Sequence, residues 1–369
     1  MINNFFYNQP VKISFGANTV DNLEKIIKAN NFDKGILICD KLFEKNGLAN
    51  KILANTPSLV AIYSDITPNP MLSEVKKCTS LMKSYNANFA VALGGGSSID
   101  LAKFSCSFFY AELPIEEYFY KRSVFSNNHL PLIAIPTTAG TGSEVTSVSV
   151  CNDDTTGTKA PLNCNNFYPY MAIIDSSLTL SVPPFITACT GLDAFSHAIE
   201  GYWSKQNQPI CDIFAVEAGK LILENIFKAY QNGYDKEARN NLSMGALLAG
   251  LSFGLPKTAA VHACSYPLSI DYHLSHGEAC AFTLDGFIRA NTNERLTSYA
   301  KALGYNSTYE LADKILELKK LMGLKITLQD ANIVNVDKLV NDCLSHPLMQ
   351  NNPVILTKEE LTSLFINLK

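Results

Sequence analysis

The sequence lacks the features that define several special classes of protein. No stretch of its 369 residues approaches the roughly 20 apolar residues that a membrane-spanning helix needs, so no membrane association is expected. Lysine and arginine (30) are fewer than aspartate and glutamate (34) and form no basic stripe, so nucleic acid is not an expected partner. The first residues do not combine a charged segment with an apolar one, and we expect no signal peptide.

The ten cysteines lack the paired spacing of zinc ribbons and of disulfide-rich domains. None occurs as Cys-x-x-Cys. Scattered cysteines are typical of buried thiols in a reducing compartment, and the sequence therefore predicts a cytoplasmic protein. Cys264 and Cys280 lie near the histidines discussed below, and we interpret them as small core residues, with oxidation sensitivity as the alternative.

Apolar runs alternate with helical segments in the first half of the chain. Gly35–Cys39, Leu59–Tyr63 and residues 89–93 are continuous apolar runs, and a helix is predicted over residues 71–85. Such runs are typical of parallel strands that are buried on both faces. The alternation predicts an α/β domain with a Rossmann-like parallel sheet.

Two loops in this half are suited to a dinucleotide. In the first, a strand leads through three glycines into a helix over residues 89–103, which lets backbone approach a pyrophosphate at a helix N-terminus; a plain tight turn is the alternative. In the second, residues 131–145 run from a strand into threonine, glycine and serine, which suit phosphate or nicotinamide. Asp40, at a strand end, is placed to accept from a ribose hydroxyl, although it precedes the glycines and so departs from the usual Rossmann order.

The second half of the chain is predicted to be almost entirely helical. A helix is expected from Pro183 to Trp203, interrupted at Gly191, and capping boxes at Ser307 and Thr357 precede two later helices. We therefore predict an α/β dinucleotide-binding domain over residues 1–180 and an all-helical metal-binding and catalytic domain over residues 181–369. A cleft between two such domains is a usual place for a small-molecule site.

Asp193 and His197 are the first candidates for metal ligands. Residues four apart lie on one face of a helix, so one carboxylate and one imidazole can face the same point. His262 and His276 follow, and the four together could hold Fe²⁺ or Zn²⁺. Each residue taken singly is better explained by a surface hydrogen bond or a satisfied core histidine, and only the joint pattern favours a metal.

Several motifs together resemble the iron-dependent (group III) alcohol dehydrogenases: GGGSSID, IPTTAGTGSEVT, MAIIDSSLT, TGLDAFSHAIEGY and the spacing from His262 to His276-Gly277. The resemblance extends along nearly the whole chain. It implies a Rossmann-like α/β domain followed by an all-helical domain, as in dehydroquinate synthase. It also implies Fe²⁺, with Zn²⁺ as an alternative, NAD(P)-linked interconversion of alcohol and aldehyde, and a homodimer.

The same resemblance implies roles for individual residues. The metal ligands would be Asp193, His197, His262 and His276. The cofactor-binding residues would be Asp40, Asn69, Gly95, Gly96, Ser97, Asp100, Thr137, Thr138, Thr141, Lys159 and Thr179. Asp40 favours NAD(H), and NADP(H) is not excluded.

The chain departs from the family pattern at two points. Tyr266 stands where many members have a second histidine that is credited with proton relay, so Tyr266, His273 or water would have to take that role. Lys257 stands where many members have small or neutral residues, and the surrounding pattern resembles the subgroup that reduces phosphonoacetaldehyde to 2-hydroxyethylphosphonate. Lys257 is then a candidate anchor for the phosphonate, with a surface lysine as the alternative.

Three other functions remain open at this point. The chain could be a general primary alcohol, diol or butanol dehydrogenase of the same family. It could also be a zinc glycerol dehydrogenase or a lyase, although those relatives use three protein ligands for their metal. A catalytically silent metal- or nucleotide-binding protein is the remaining alternative, and only Tyr266 favours it.

Overall fold

The computed structural model describes residues 4–368. Contacts between residues divide this chain into two compact units. Within the described residues, the sheet unit comprises residues 9–138 and 143–178, and the helical unit comprises residues 4–8, 139–142 and 179–368. The predicted domains 1–180 and 181–369 stay a prediction.

The sheet unit is built on a six-stranded parallel sheet in the order β1-β8-β5-β4-β2-β3. A separate antiparallel pair is formed by β6 and β7. The strands are β1 (Lys12–Phe15), β2 (Gly35–Cys39), β3 (Leu59–Tyr63), β4 (Phe89–Gly94), β5 (Leu132–Pro136), β6 (Val148–Asn152), β7 (Lys159–Asn163) and β8 (Met171–Ile174). The predicted fold class is confirmed, since a parallel α/β sheet is followed by helices alone.

Alternation along the central strands explains why their sequences are apolar throughout. In β2, Ile36 and Ile38 pack into one core, whereas Leu37 and Cys39 pack into another. Because side chains of a strand point to opposite faces in turn, a sheet covered on both faces needs apolar residues at every position. The helices of this unit are α1 (Leu23–Ala29), α2 (Lys41–Lys45), α3 (Leu48–Asn55), α4 (Leu72–Ser84), α5 (Gly96–Phe108) and α6 (Ile115–Phe119).

The helical unit has a single large apolar core. Its helices are α7 (Pro184–Trp203), α8 (Pro209–Gln231), α9 (Lys236–Phe253), α10 (Ala260–Asp271), α11 (His276–Ala290), α12 (Glu294–Ala302), α13 (Thr308–Leu321), α14 (Val336–Ser345) and α15 (Lys358–Ile366). Both predicted capping residues act as such, because Ser307 accepts from the backbone of Glu310 and Thr357 from that of Glu360. Between residues 4 and 368, no helix combines the length and apolarity needed to cross a bilayer.

Candidate functional site

Helix α7 places Asp193 and His197 on one buried face. Asp193 is 2% exposed and His197 is 5% exposed, and Oδ2 of the first lies 4.0 Å from Nδ1 of the second. The ring of His197 stacks on Phe253 at the end of α9, with 4.1 Å between ring centroids. The predicted interruption at Gly191 is absent, since α7 runs unbroken from Pro184 to Trp203. These two polar side chains are therefore fixed among the buried apolar residues Ala194, Phe195 and Ala198 of the same helix.

The other two predicted histidines converge on the same carboxylate. His262 lies in the first turn of α10 and His276 is the first residue of α11. Oδ1 of Asp193 is 3.6 Å from Nε2 of His262 and 3.7 Å from Nε2 of His276. Nε2 of His197 is 3.0 Å from Nε2 of His262. The structure thus brings together all four residues that the sequence nominated as ligands.

Gly277 allows α11 to start this close to α7. A Cβ at Gly277 would lie 2.3 Å from the carbonyl oxygen of Cys189 and 3.3 Å from Cβ of Asp193. No side chain fits at the first of these distances, so only glycine permits the approach. The close contact sets the position of His276, one residue earlier.

Glu200 orients His262 from behind, and the sequence analysis did not identify it. The Glu200 carboxylate accepts from the backbone N–H of Val261 at 2.7 Å and from Nδ1 of His262. It is fully buried, so both bonds are shielded from water. A histidine that donates from Nδ1 to a carboxylate keeps Nε2 free to bind a metal. The available signal was helical spacing, because Glu200 lies seven residues after Asp193 and three after His197, on the same face of α7.

The donor set fits a divalent metal ion. Oδ1 of Asp193 is buried and has no hydrogen-bond partner. Burial alone would raise the pKa of this carboxyl, but the nearby imidazoles of His197 and His276 hold it below its usual value, so Asp193 is an anion. Burial lowers the pKa of His197 to about 3, so its imidazole is neutral. An anionic carboxylate oxygen and imidazole nitrogens, which give up any proton on coordination, are donors that Fe²⁺ and Zn²⁺ take in proteins.

Cys280 also reaches this cluster, which the sequence analysis did not predict. It lies one turn after His276 on α11, and its Sγ is 3.9 Å from Nε2 of that histidine. Burial would raise the pKa of the thiol, yet the imidazoles of His262 and His276 lower it below its usual value. In contrast, burial raises the pKa of the Cys78 thiol to about 12. Cys280 therefore differs from an ordinary core cysteine.

The two candidates for proton relay lie in different surroundings. Tyr266 is one turn after His262 on α10, and its ring stacks on His346 with 4.4 Å between centroids. His273 lies between α10 and α11, is exposed and has a left-handed backbone with φ of 57°. The prediction that His273 faces the site required a helix between His273 and His276, and residues 273–275 are not helical. Tyr266 is thus the better placed of the two.

Lys257 lies in the short loop that joins α9 to α10. Its backbone N–H donates to Phe253, whose ring stacks on His197, and its φ is 66°. Asn351 donates to the carbonyl groups of Pro256 and Thr258, on either side of Lys257, at 2.9 Å each. These bonds hold the lysine backbone in a conformation that non-glycine residues seldom adopt. These bonds therefore hold the backbone of Lys257 in place, four residues after Phe253 and five before His262.

The predicted nucleotide loop lies at the carboxyl edge of the parallel sheet. Gly95 caps α5, and a Cβ at Gly94 would lie 2.4 Å from Oγ of Ser98, so this turn requires glycine. The backbone N–H of Thr137 donates to Gly94, and the hydroxyl of Thr138 is 3.4 Å from where a Cβ of Gly95 would be. The partly exposed N-terminus of a 13-residue helix in this setting can bind a phosphate group.

The remaining predicted cofactor residues divide into several groups. In the sheet unit, Asp40 caps α2, and the backbone N–H of Asn69 donates to Oγ of Ser97 at 3.2 Å. The Asp100 carboxylate accepts hydrogen bonds from the Ser143 hydroxyl and from the backbone N–H of Val150. It therefore links α5 to these two neighbouring segments of the sheet unit. The others are Gly96 at the start of α5, Lys159 at the start of β7, and Thr141 and Thr179 in the helical unit.

Comparison with known families gives two matches that together span most of the chain. The family described as "Iron-containing alcohol dehydrogenase" matches residues 10–176. The family described as "Fe-containing alcohol dehydrogenase family, C-terminal" matches residues 187–368. The second match contains all four nominated metal ligands.

Individual relatives agree with these matches. Long-chain-alcohol dehydrogenase 1 of Geobacillus thermodenitrificans is 36% identical over 80% of this chain and 76% of its own. The sulfoacetaldehyde reductase of Bilophila wadsworthia is 33% identical over 73% of this chain and 70% of its own. Among solved structures, a sulfoacetaldehyde reductase from Bifidobacterium kashiwanohense in complex with NAD⁺ has a TM-score of 0.96 and 38% identity, with 98% of each chain covered.

Proposed function

We propose that this chain, which belongs to the iron-containing alcohol dehydrogenase family, reduces a short aldehyde that carries an anionic group. The chain is an oxidoreductase of that family, whose description names iron as its metal. The resemblance to a phosphonoacetaldehyde-reducing subgroup and the similarity to two sulfoacetaldehyde reductases support a phosphonate or sulfonate as the anionic group, with phosphonoacetaldehyde as the first candidate. The alternative is a neutral primary alcohol or diol.

The state of Lys257 is the observation that carries this proposal. Its side chain is partly buried, and its ammonium group donates to the carbonyl oxygen of Gly254 at 2.8 Å. Within residues 4–368, no carboxylate oxygen forms an ion pair within 4.0 Å of its ammonium group, and burial lowers the pKa of the amine. A partly buried cation without a neutralising acid is costly, and an anionic substrate would offset that cost.

The chain's own residues would divide the work of hydride transfer as follows. Asp193, His197, His262 and His276 would hold the metal, and Gly95 with Gly96 would contact the pyrophosphate of NAD(H). When bound, the metal supplies Lewis acidity toward a carbonyl oxygen and the nicotinamide supplies the hydride. Lys257 would bind the anionic group and so orient the aldehyde. Glu200 would keep His262 in the protonation state that binds a metal.

Tyr266 and His346 are the residues that we propose for proton relay. Nδ1 of His346 accepts from the backbone N–H of Leu348 at 3.3 Å, so in the neutral ring the proton is on Nε2. Burial lowers the pKa of His346, with a further contribution from His262, so the ring is neutral at pH 7. The Tyr266 hydroxyl would pass a proton to the substrate oxygen, while the neutral His346 imidazole stacked on its ring would hold the tyrosine in position.

Removal of the Lys257 charge is expected to change substrate preference. We expect Lys257→Met to lower kcat/KM about 100-fold for phosphonoacetaldehyde and sulfoacetaldehyde, because one charged contact contributes about 1.5–3 kcal/mol. Turnover of propanal should change by less than about threefold, since propanal has no anionic group to lose a contact. The measurement is NADH oxidation by protein loaded anaerobically with Fe²⁺. Equal losses on both kinds of aldehyde, or a wild-type preference for propanal, would refute the anionic substrate.

Loss of the Tyr266 hydroxyl is expected to slow the proton step. We expect Tyr266→Phe to lower kcat by about 10²-fold and to change its pH profile, because the ring stays stacked on His346 while the proton donor is gone. Tyr272→Phe is the matched control, since the Tyr272 hydroxyl bonds only the carbonyl of Asn335 at the protein surface. An unchanged pH profile in Tyr266→Phe would assign the relay to water.

Some parts of the functional picture stay predictions. They are a homodimeric assembly, a cytoplasmic location, the preference for NAD(H) over NADP(H), and the choice between Fe²⁺ and Zn²⁺ in the cell. The identity of the anionic group is decided by the ratio of kcat/KM for the two candidate aldehydes.

A further inference from the structure

Cys280 is the one donor near the proposed metal centre to which no role has been given so far. Its Sγ belongs to a group of four donor atoms, with those of Asp193, His262 and His276, that all lie within 4.8 Å of one another. The side chain is fully buried, so no solvent competes for the sulfur. Its place one turn after His276 on α11 points both side chains at the same spot.

A second observation at the same place indicates a ligand. Oδ1 of Asp193 is buried and makes no hydrogen bond to any protein group, although it belongs to the same four-atom cluster. A buried carboxylate oxygen without a partner is rare in folded proteins, because leaving it unsatisfied is costly. An ion among these donors would satisfy that oxygen and would also contact the sulfur.

The geometry points to Cys280 as a further protein ligand of the metal. Cys280 would bind the ion through its thiolate sulfur. On binding, the S–H bond breaks, the proton goes to solvent, and the sulfur donates a lone pair to the ion without any change of oxidation state. The inference rests on the metal centre of the proposed function and is independent of the substrate. Thiolate is a softer donor than carboxylate, so it favours Zn²⁺ and Co²⁺ over harder ions such as Mn²⁺ and Mg²⁺.

A cysteine ligand would also change the charge of the site. A divalent ion held by one carboxylate and neutral imidazoles keeps a net charge of +1, whereas a second anionic donor brings the net charge to zero. The ion is then held more tightly but polarises a carbonyl less strongly. Cys280 would thus increase metal retention at the expense of Lewis acidity.

The test is spectroscopy on the full-length protein loaded with metal. Cobalt-substituted wild type is expected to show a near-ultraviolet charge-transfer band from sulfur to Co²⁺, and Cys280→Ser is expected to lose that band while it keeps the visible bands of bound Co²⁺. Zn²⁺ affinity, measured by competition with a chelator, should fall about tenfold or more in Cys280→Ser. Cys211→Ser is the matched control, because Cys211 is equally buried in the helical unit but its thiol donates to the carbonyl of Leu251.

A second measurement does not depend on how the variant folds. X-ray absorption of zinc-loaded wild type should contain one sulfur neighbour at about 2.3 Å. Bound Co²⁺ without a charge-transfer band, or bound Zn²⁺ with only nitrogen and oxygen neighbours, would overturn the role of Cys280 and leave the metal centre intact. Failure of the wild type to bind either ion would instead overturn the metal centre, and the inference with it.

Discussion

Replacement of His276 by alanine is expected to lower kcat/KM by at least about 10³-fold and metal affinity by more than about 100-fold. The first figure follows because a bound metal contributes several kcal/mol to transition-state stabilisation. The second follows because Nε2 of His276 is one of the few donors within reach of Asp193. Metal content after dialysis and the rate of NADH oxidation measure the two effects.

The fold should survive this substitution, so a loss of activity would not result from unfolding. The His276 side chain is 42% exposed, so its removal leaves no closed cavity, and the thermal midpoint of the metal-free protein should move by only a few degrees. His273→Ala is the matched control, because His273 is an exposed histidine three residues earlier in the chain. Full turnover by a metal-depleted His276→Ala protein, or an equal loss in His273→Ala, would contradict the assignment of His276 as a ligand.

Substitution of Glu200 is expected to separate folding from metal binding. In Glu200→Ala, the buried N–H of Val261 loses its acceptor and a cavity opens, so the free energy of unfolding should fall by about 2–4 kcal/mol. Metal affinity should also fall by about 10- to 100-fold, because His262 is no longer oriented. Both effects are measurable on purified protein, by thermal unfolding and by competition with a chelator.

Glu200→Gln is the informative partner of that variant. Its amide oxygen can still accept from Val261, so stability should stay close to that of the wild type. Its amide N–H₂ faces Nδ1 of His262, which must then become an acceptor and carry its proton on Nε2, the wrong tautomer for a ligand. We therefore expect a loss of metal affinity without a loss of stability. Wild-type metal affinity in Glu200→Gln would show that Glu200 has only a structural role.

The sequence predicted the sheet well because burial leaves a direct trace in it. Gly35–Cys39 and Leu59–Tyr63 are strands with the predicted bounds. The first is buried at every position, as a strand covered on both faces must be, whereas the second lies at the edge of the sheet and exposes Val60. Gly191 shows the opposite case. A Cβ there would lie 2.6 Å from Cδ1 of Ile226, so this glycine serves the close packing of α7 on α8 and does not end a helix. A contact 35 positions away in the chain could not be deduced from local sequence.

The candidate site was predictable where local spacing carries the information. Asp193 and His197 could be paired because they are one helical turn apart, and the joint pattern with His262 and His276, supported by the family resemblance, completed the set. Glu200 was missed because its partner lies 62 positions later in the chain. Cys280 was interpreted as a core residue because burial and ligation select the same residue type, and only the three-dimensional position of its sulfur separates the two.

The ten cysteines are all free thiols, so no covalent link restrains the chain. The donors around Asp193 come from α7, α10 and α11; residues 204–259 separate α7 from α10, whereas only residues 272–275 join α10 to α11. An ion held by all three would act as a cross-link, since it closes those stretches into loops only in the folded state. Its binding free energy would then count toward the folding of the helical unit, as for structural metal sites, and retention of the ion would be a matter of protein lifetime as much as of catalysis.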